Sequence, residues 1–283
     1  MRKLLVVLFS AVIVFSSSIA GSQTKKAEVK KTAASGNSSI IKLGMFASAC
    51  DGPPITSLLR RDSTFDINAS PGAHTAVQLA QIRLGQALSS NESEYRTACV
   101  NTIIAIMSDR RYSWREAGTH QTTDLMHFVS VLKDESKDNM RTTLGPILKL
   151  LKEKISDFDV NYRLKAQRLP TEAGTVAGSL VQTGNVDAWC MVTKTFPLSL
   201  EERPSEDYYT PLLLAIAQNK IDMVKLLIGE GADWDVYLTD YPTGWAAEEI
   251  ARANTYTNIE EWLVQHKQSR NAAVSGCEQT GDH

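Results

Sequence analysis

The sequence predicts an all-α protein, an α-solenoid of about six helix–turn–helix units of which the early units are elongated. Three observations lead to this prediction. Residues 207–240 carry a helix–turn–helix pattern, the pattern returns in phase on both sides of this segment, and two nearly identical loop sequences stand far apart in the chain. Such self-similarity is typical of stacked repeats, because each helix pair has an apolar face that only its neighbours can bury.

The clearest unit contains "TPLLLAIAQNKIDMVKLLIGEGADWD", residues 210–235. Thr210 can cap a helix through its hydroxyl, and Pro211 suits the first helical position, where no N–H group is needed. Two apolar segments at helical spacing follow, separated by a polar turn. Gly229 and Gly231 end the second helix, and we expect one of them in the left-handed conformation that favours glycine.

This segment resembles the ankyrin repeat, whose family pattern is G-x-T-P-L-H-x-A, followed by G-H, V-V-x-L-L and G-A-D. It departs from that pattern at Tyr208, at Leu213 and at the pair Asn219–Lys220. The positions that match in register are Thr210, Pro211, Leu212, Ala215, Val224, Leu226, Leu227, Gly231, Ala232 and Asp233. The resemblance implies an ankyrin-like stack of helix pairs.

Other units are predicted from their phase relative to this one. "GWAAEEIARANTYTNIEEWLVQH" resembles a last repeat, while "TVAGSLVQTGNVDAWCMV", "HTAVQLAQ" and "QTTDLMHF" resemble degenerate earlier ones. "FDIN" at 65–68 and "FDVN" at 158–161 mark equivalent loops. The resemblance is specific for 207–268 and degenerate for 40–206, where a generic helical bundle is the alternative. The predicted units are roughly 40–70, 71–117, 118–170, 171–206, 207–240 and 241–268.

The extra length of the early units is predicted to lie in two places. Polar residues within "ALSSNESEYRTACVNTIIAIMS" and "VLKDESKDNMRTTLGPILKLLKEK" suggest longer turns between the two helices of a unit. Each second helix is also expected to gain about one turn.

The N-terminus predicts export. Arg2 and Lys3 precede the apolar run "LLVVLFSAVIVF", and small residues follow at Ser18 and Ala20, as in a secretory signal peptide over 1–20. An uncleaved membrane anchor is the alternative, but the run is short for a bilayer span. We therefore expect a periplasmic or secreted protein without stable membrane insertion after cleavage.

Both ends of the mature chain are predicted to be disordered. Residues 21–39 are polar and lysine-bearing, so they offer too little apolar surface to offset the entropy of ordering. They are interpreted as a solvated linker, although their lysines could also contact a membrane surface. Residues 269–283 are predicted to be a disordered tail.

The four cysteines have wide, irregular spacing without a C-x-x-C pair, which suggests neither a zinc site nor a dense disulfide framework. Cys50, Cys99 and Cys190 lie in apolar helical patterns and are predicted to be buried free thiols. Export would permit disulfides, which remain the alternative. Cys277 lies in the polar tail and is expected to be an exposed thiol.

The sequence predicts neither catalysis nor a cofactor. Ser130 and Lys133 fit an S-x-x-K motif, but the S-D-N and K-T-G elements that such hydrolases need are absent. An exported hydrolase on a helical scaffold is the alternative that this pair leaves open. His120 and His127 lack a third ligand for a metal site. The net charge of −2 gives no electrostatic footprint for nucleic acid.

The predicted function is a non-enzymatic scaffold, expected to be a monomer, that binds a protein partner. The ankyrin resemblance implies binding through the loops between units and the concave face of the first helices. Trp, Tyr and Arg dominate binding hot spots, although some of these side chains are expected to pack against their own hairpins. The candidates are Arg111, Tyr112, Trp114, Arg115, Tyr162, Arg163, Tyr208, Tyr209, Trp234, Tyr237 and Tyr241.

Overall fold

The computed structural model describes residues 25–70, 72–90, 92–115, 122–133, 135–164, 174–202, 209–234, 247–268 and 277. The chain divides into two units, residues 1–35 and 36–283, and the features below lie in the second unit apart from the start of the first helix. Within the described ranges there are twelve helices and no strand. None of the described helices is both long enough and apolar enough to cross a membrane.

The twelve helices follow one another as six pairs, each joined by a short turn. They are α1 (Lys25–Ser48) and α2 (Gly52–Arg61), α3 (Ala76–Ser89) and α4 (Ser93–Met107), α5 (Asp124–Val131) and α6 (Lys137–Lys154), α7 (Val176–Thr183) and α8 (Val186–Thr195), α9 (Pro211–Ala217) and α10 (Ile221–Gly229), and α11 (Ala247–Ala253) and α12 (Thr257–Gln268).

The helices form two layers. In the first-helix layer, α3 packs on α5, α5 on α7, α7 on α9 and α9 on α11. In the second-helix layer, α2 packs on α4, α4 on α6, α6 on α8, α8 on α10 and α10 on α12. Each unit therefore contacts the unit that precedes it and the unit that follows it in the chain. This arrangement confirms the prediction of an all-α solenoid.

Four first helices begin at the same signal, a buried threonine. In each case the threonine Oγ1 accepts a hydrogen bond from the backbone N–H three residues later, which satisfies one of the free donors at a helix start. These residues are Thr75, Thr123, Thr175 and Thr210. The common cap is a local reason why these degenerate segments all begin a helix at equivalent points.

The turns of the clearest unit also follow the sequence prediction. Asn219, between α9 and α10, has a φ of 56°, a left-handed conformation that Asn tolerates better than most residues. Gly231, just past the end of α10, has a φ of 96°. A β-carbon would be strained at that position, so glycine allows the chain to leave the helix there.

The extra length of the early units lies mainly in the helices. Helices α3, α4 and α6 have 14, 15 and 18 residues, compared with 7 in α9 and 9 in α10. The turn at 90–92 is no longer than the turn at 218–220, so the expected insertion of a polar turn in that unit is wrong. Polar residues such as Ser93 and Glu94 instead form the first exposed turn of α4.

The structure also differs from the predicted disorder within 21–39, and in the predicted tail it describes a single residue. Helix α1 begins at Lys25, inside the segment 21–39 that was expected to be a linker. Its Lys, Ala and Glu residues are good helix formers, which an argument based only on apolar burial overlooks. In the predicted tail, Cys277 is buried. The signal peptide predicted over 1–20 lies outside the described residues.

The prediction of free thiols is wrong, because all four cysteines form disulfides. Cys50 in the turn after α1 bonds Cys99 on α4, with their Cα atoms 4.5 Å apart. Cys190 on α8 bonds Cys277, with a Cα separation of 5.3 Å. The partners belong to different parts of the stack, so sequence spacing does not reveal the pairing. The even number of cysteines, together with the predicted export signal, was the available indication.

Candidate protein-binding surface

The loops between units are tied to one another by asparagine side chains. The Asn68 amide donates to the carbonyl oxygen of Arg111 at 2.8 Å, and its Oδ1 accepts from the N–H of Ser113, also at 2.8 Å. Asp66 orients this residue by accepting the backbone N–H of Asn68 at 2.9 Å. One side chain thus joins the loop after α2 to the loop after α4.

The same bracket recurs two units later, which explains the repeated "FDIN" and "FDVN". The Asn161 amide donates to the carbonyl oxygen of Pro197 at 2.9 Å, and Asn161 Oδ1 accepts from the N–H of Ser199 at 2.8 Å. Asp159 accepts the N–H of Asn161 at 2.9 Å. Because both asparagines pair in this way with backbone groups of the following loop, successive loops keep a fixed register along one side of the stack.

Arg111 is held by its own chain. Its guanidinium binds the Asp109 carboxylate at 2.8 and 2.9 Å and donates to the carbonyl oxygens of Leu59, Asp62 and Phe65. The hydrogen bonds from Arg111 lower the pKa of Asp109 below its ordinary value. This predicted hot-spot residue therefore joins the loop after α4 to the end of α2 and to the loop that follows α2.

Tyr112 also points inward, toward a buried carboxyl at the start of α5. Its hydroxyl donates to Asp124 Oδ2 at 2.9 Å, and the Thr75 hydroxyl donates to Oδ1 at 3.3 Å. Burial raises the pKa of Asp124 to about 7, while the hydrogen bonds from Tyr112 and Thr75 act in the opposite direction. Burial, followed by the charge of Asp124, raises the pKa of Tyr112 well above 10.

Trp114 is the centre of an aromatic cluster formed by two successive loops. It is only 4% exposed, and its ring meets Phe158 and Tyr162 edge-on at 5.1 and 5.2 Å between centroids. Exposed Arg115 covers the Trp114 ring at 4.7 Å and pairs with Asp157 at 3.2 Å. Trp114 leaves little surface for a partner, whereas Arg115 remains accessible.

The remaining candidates are placed as follows. Exposed Arg163 binds Glu202 in the next loop, and Tyr209 and Trp234 are half-buried against the core. Tyr208, Tyr237 and Tyr241 lie outside the described residues. Their contact with a partner stays a prediction.

An exposed apolar pair on α1 was not predicted from the sequence. Ile41 and Met45 lie four residues apart and are 53% and 63% exposed. With His74 and Leu79 they border a shallow cavity of about 310 Å³ between α1 and the start of α3. We call these four residues the α1 patch. The spacing of Ile41 and Met45 was a readable signal, but their exposure depends on which neighbours cover α1.

Side-chain contacts connect this patch to the backbone at the start of α5. The rings of His74 and His127 lie 6.0 Å apart between centroids. His127 Nδ1 is 2.7 Å from Gln81 Oε1, which can only accept, and the Gln81 amide donates to the Asp124 carbonyl oxygen at 2.9 Å. The patch therefore borders an ordered polar network between the second and third units.

The two residues of the S-x-x-K motif lie at the end of α5 and in the turn after it. The Ser130 hydroxyl donates to the His127 carbonyl oxygen at 2.7 Å, within the same helix. Exposed Lys133 lies in the turn that follows α5. His120 lies outside the described residues, and within them no group of three His, Cys, Asp or Glu side chains could hold a metal ion.

Comparison with known families gives one match. A family model of the ankyrin repeat matches residues 207–240, the unit formed by α9 and α10. No curated protein matches the chain. The match covers one of the six units. The neighbouring units show the same packing of their helices in two layers. Ankyrin repeats generally mediate protein interactions, which is the class of function that this finding supports.

Proposed function

We propose that this protein, whose fifth unit is an ankyrin repeat, is an exported, non-enzymatic scaffold that binds a partner protein on its first-helix side. The observation that carries the proposal is the α1 patch. Terminal units of stacked repeat proteins need a polar outer face for solubility, yet here Ile41 and Met45 are exposed. Contiguous exposed apolar surface commonly marks a protein interaction site.

The inter-unit loops would extend this surface. Arg115 and Arg163 are exposed, and each already pairs with a carboxylate of its own chain. Arginines held in this way lose less side-chain freedom when a partner binds, which lowers the cost of association. Tyr208, Tyr237 and Tyr241 complete the set that we expect along this side.

Export is supported by the disulfides. Disulfides persist in oxidising compartments and are rare where glutathione keeps thiols reduced. Cys50–Cys99 and Cys190–Cys277 therefore fit the signal-peptide pattern at 1–20. Fractionation of expressing cells would test this part: we expect the oxidised chain in the periplasmic or released fraction, and a reduced cytosolic chain would contradict it.

The binding surface is tested by changing Ile41→Glu and Met45→Glu together. The wild-type chain should capture a partner that the double variant does not retain, because charged side chains would remove the apolar contact. Val264→Glu is a control, since Val264 on α12 is also exposed (38%) but lies away from the patch. Helical circular dichroism should be unchanged in all three chains. Equal capture by the double variant would refute this placement of the interface.

A further inference from the structure

A second concave feature lies in the other layer, between α2 and α4. It is a groove of about 620 Å³. Because α2 runs from Gly52 to Arg61 and both ends of this helix contribute to the lining, the groove follows α2 over its whole length. Its walls include Pro53, Thr56, Asn101 and Ala105, with Arg60 and Arg61 at the C-terminal end of α2. None of the described residues that line it is acidic.

The two arginines are exposed, and their guanidinium groups make no hydrogen bond or ion pair with any residue that the structure describes. Among the described residues, exposed Arg110 also makes no side-chain hydrogen bond or ion pair, whereas three other surface arginines are paired with carboxylates. Arg83 pairs with Glu92, Arg115 with Asp157 and Arg252 with Glu260. The nearest carboxylate in sequence, Asp62, accepts hydrogen bonds from Ser39 and Thr64 instead.

Basic residues in the last turn of a helix are favourable in themselves, because they face the negative end of the helix dipole. That effect accounts for Arg60 and Arg61 being basic. The helix dipole does not account for a groove that begins at the N-terminal end of α2 and ends at these two arginines.

We infer that this groove binds an acidic, extended segment of a partner protein. Guanidinium groups bind carboxylates through paired hydrogen bonds, so two free arginines fit a segment that carries two or more Asp or Glu residues. A helix of ten residues is about 15 Å long, and an extended chain advances about 3.3 Å per residue. The groove therefore accommodates about four to five residues.

A nucleic acid is a less suitable occupant. Affinity for a phosphate backbone comes from neutralising many charges, typically through a stripe of basic residues. Here the chain carries a net charge of −2, and only two unpaired arginines line the groove. The groove lies in the second-helix layer, so this site is separate from the α1 patch and can succeed or fail independently of it.

The test uses the oxidised full-length chain and a fluorescein-labelled peptide with five consecutive glutamates, measured by fluorescence anisotropy. We expect saturable binding that weakens with salt, and no binding of the matching five-glutamine peptide. Arg60→Glu with Arg61→Glu should weaken binding at least about tenfold. Lys149→Glu with Lys152→Glu makes the same change in net charge at exposed lysines of α6 and should leave the affinity within about twofold.

Three outcomes would overturn the inference. The wild-type chain could fail to bind the glutamate peptide, or the two charge-reversed variants could lose affinity equally, which would indicate a general charge effect. A single-stranded oligonucleotide that binds more tightly than the peptide, and loses affinity in the Arg60/Arg61 variant, would assign the groove to nucleic acid. Unchanged helical circular dichroism in both variants ensures that folding is not the cause.

Discussion

At the scale of single residues, Asp124 is the most unusual group in the described part of the chain. Its carboxyl is buried at the start of α5 with hydroxyl donors from Thr75 and Tyr112. Burial raises its pKa to about 7, because the charged form loses its hydration there. The other titratable side chains nearby are His74 and His127. His127 contacts Gln81, whose amide binds the backbone carbonyl oxygen of Asp124 rather than its carboxyl.

The raised pKa predicts how stability depends on pH. In the unfolded chain an aspartate has an ordinary pKa of about 3.9, so between pH of about 4 and about 7 the folded state holds a proton that the unfolded state has lost. The free energy of unfolding should therefore fall as pH rises through this window and level off above about 7. Asp124→Asn should flatten this part of the profile.

Urea unfolding at a series of pH values measures this effect. Ser130→Ala serves as the control, because this exposed side chain carries no titratable group and its loss should leave the slope unchanged. Asp62 and Asp109 have lowered pKa values, from hydrogen bonds with Ser39 and Arg111 respectively, so they contribute at lower pH and with the opposite sign. If the Asp124→Asn variant keeps the wild-type slope, the fall in stability between pH of about 4 and about 7 does not come from the Asp124 carboxyl.

At the scale of helices and loops, equivalent features of the units come from short local signals. The threonine caps at Thr75, Thr175 and Thr210 and the asparagine brackets at Asn68 and Asn161 involve contacts that recur at the same place in different units. Both the threonine caps and the asparagine brackets bind backbone groups, whose chemistry does not depend on the neighbouring sequence. The units can therefore keep the same architecture while their apolar residues and helix lengths diverge.

The Cys190–Cys277 disulfide adds a constraint of another kind, since it fastens a distant segment of the chain to α8. The backbone N–H of Cys277 also donates to Glu230, at the end of α10, at 2.7 Å. Changing Cys190→Ser and Cys277→Ser together should reduce the free energy of unfolding by about 2 to 4 kcal/mol, because the unfolded chain regains freedom.

Urea unfolding of the oxidised proteins measures this loss. The double variant keeps Cys50–Cys99, so full reduction of the wild type should be more destabilising than the double variant alone. If the double variant unfolds at the same urea concentration as the wild type, the contact between the C-terminal segment and α8 does not contribute to stability.

At the scale of the whole stack, the sequence was informative where signals are local and periodic. The helix–turn–helix pattern and the threonine at 210 predicted α9 and α10, and the loop echo predicted equivalent positions at Asn68 and Asn161. The disulfide partners, the inward direction of Tyr112 and Trp114, and the exposure of the α1 patch were not predicted. Each of these depends on which side chains a neighbouring unit brings close, and residue type alone does not determine that.

Residue type alone could not identify the residues of the candidate binding surface. Arg, Tyr and Trp were chosen because such residues dominate interfaces, but they are equally suited to joining loops within a stack. Arg111 and Tyr112 have their polar groups bound to their own chain, whereas Arg60 and Arg61 do not among the described residues. Geometry separates these two cases.

Each helix pair is stabilised by its immediate neighbours in the stack, and hydrogen–deuterium exchange on full-length variants measures this dependence unit by unit. Leu227→Ala on α10 and Ile103→Ala on α4 each remove a fully buried side chain, at a cost of about 2 to 5 kcal/mol. Leu227→Ala should accelerate exchange in α7 to α12 and leave α3 and α4 protected. Ile103→Ala should accelerate exchange in α2 to α6 and leave α9 to α12 protected. If either substitution accelerates exchange uniformly from α3 to α12, distant units depend on one another and the units are not stabilised by their neighbours alone.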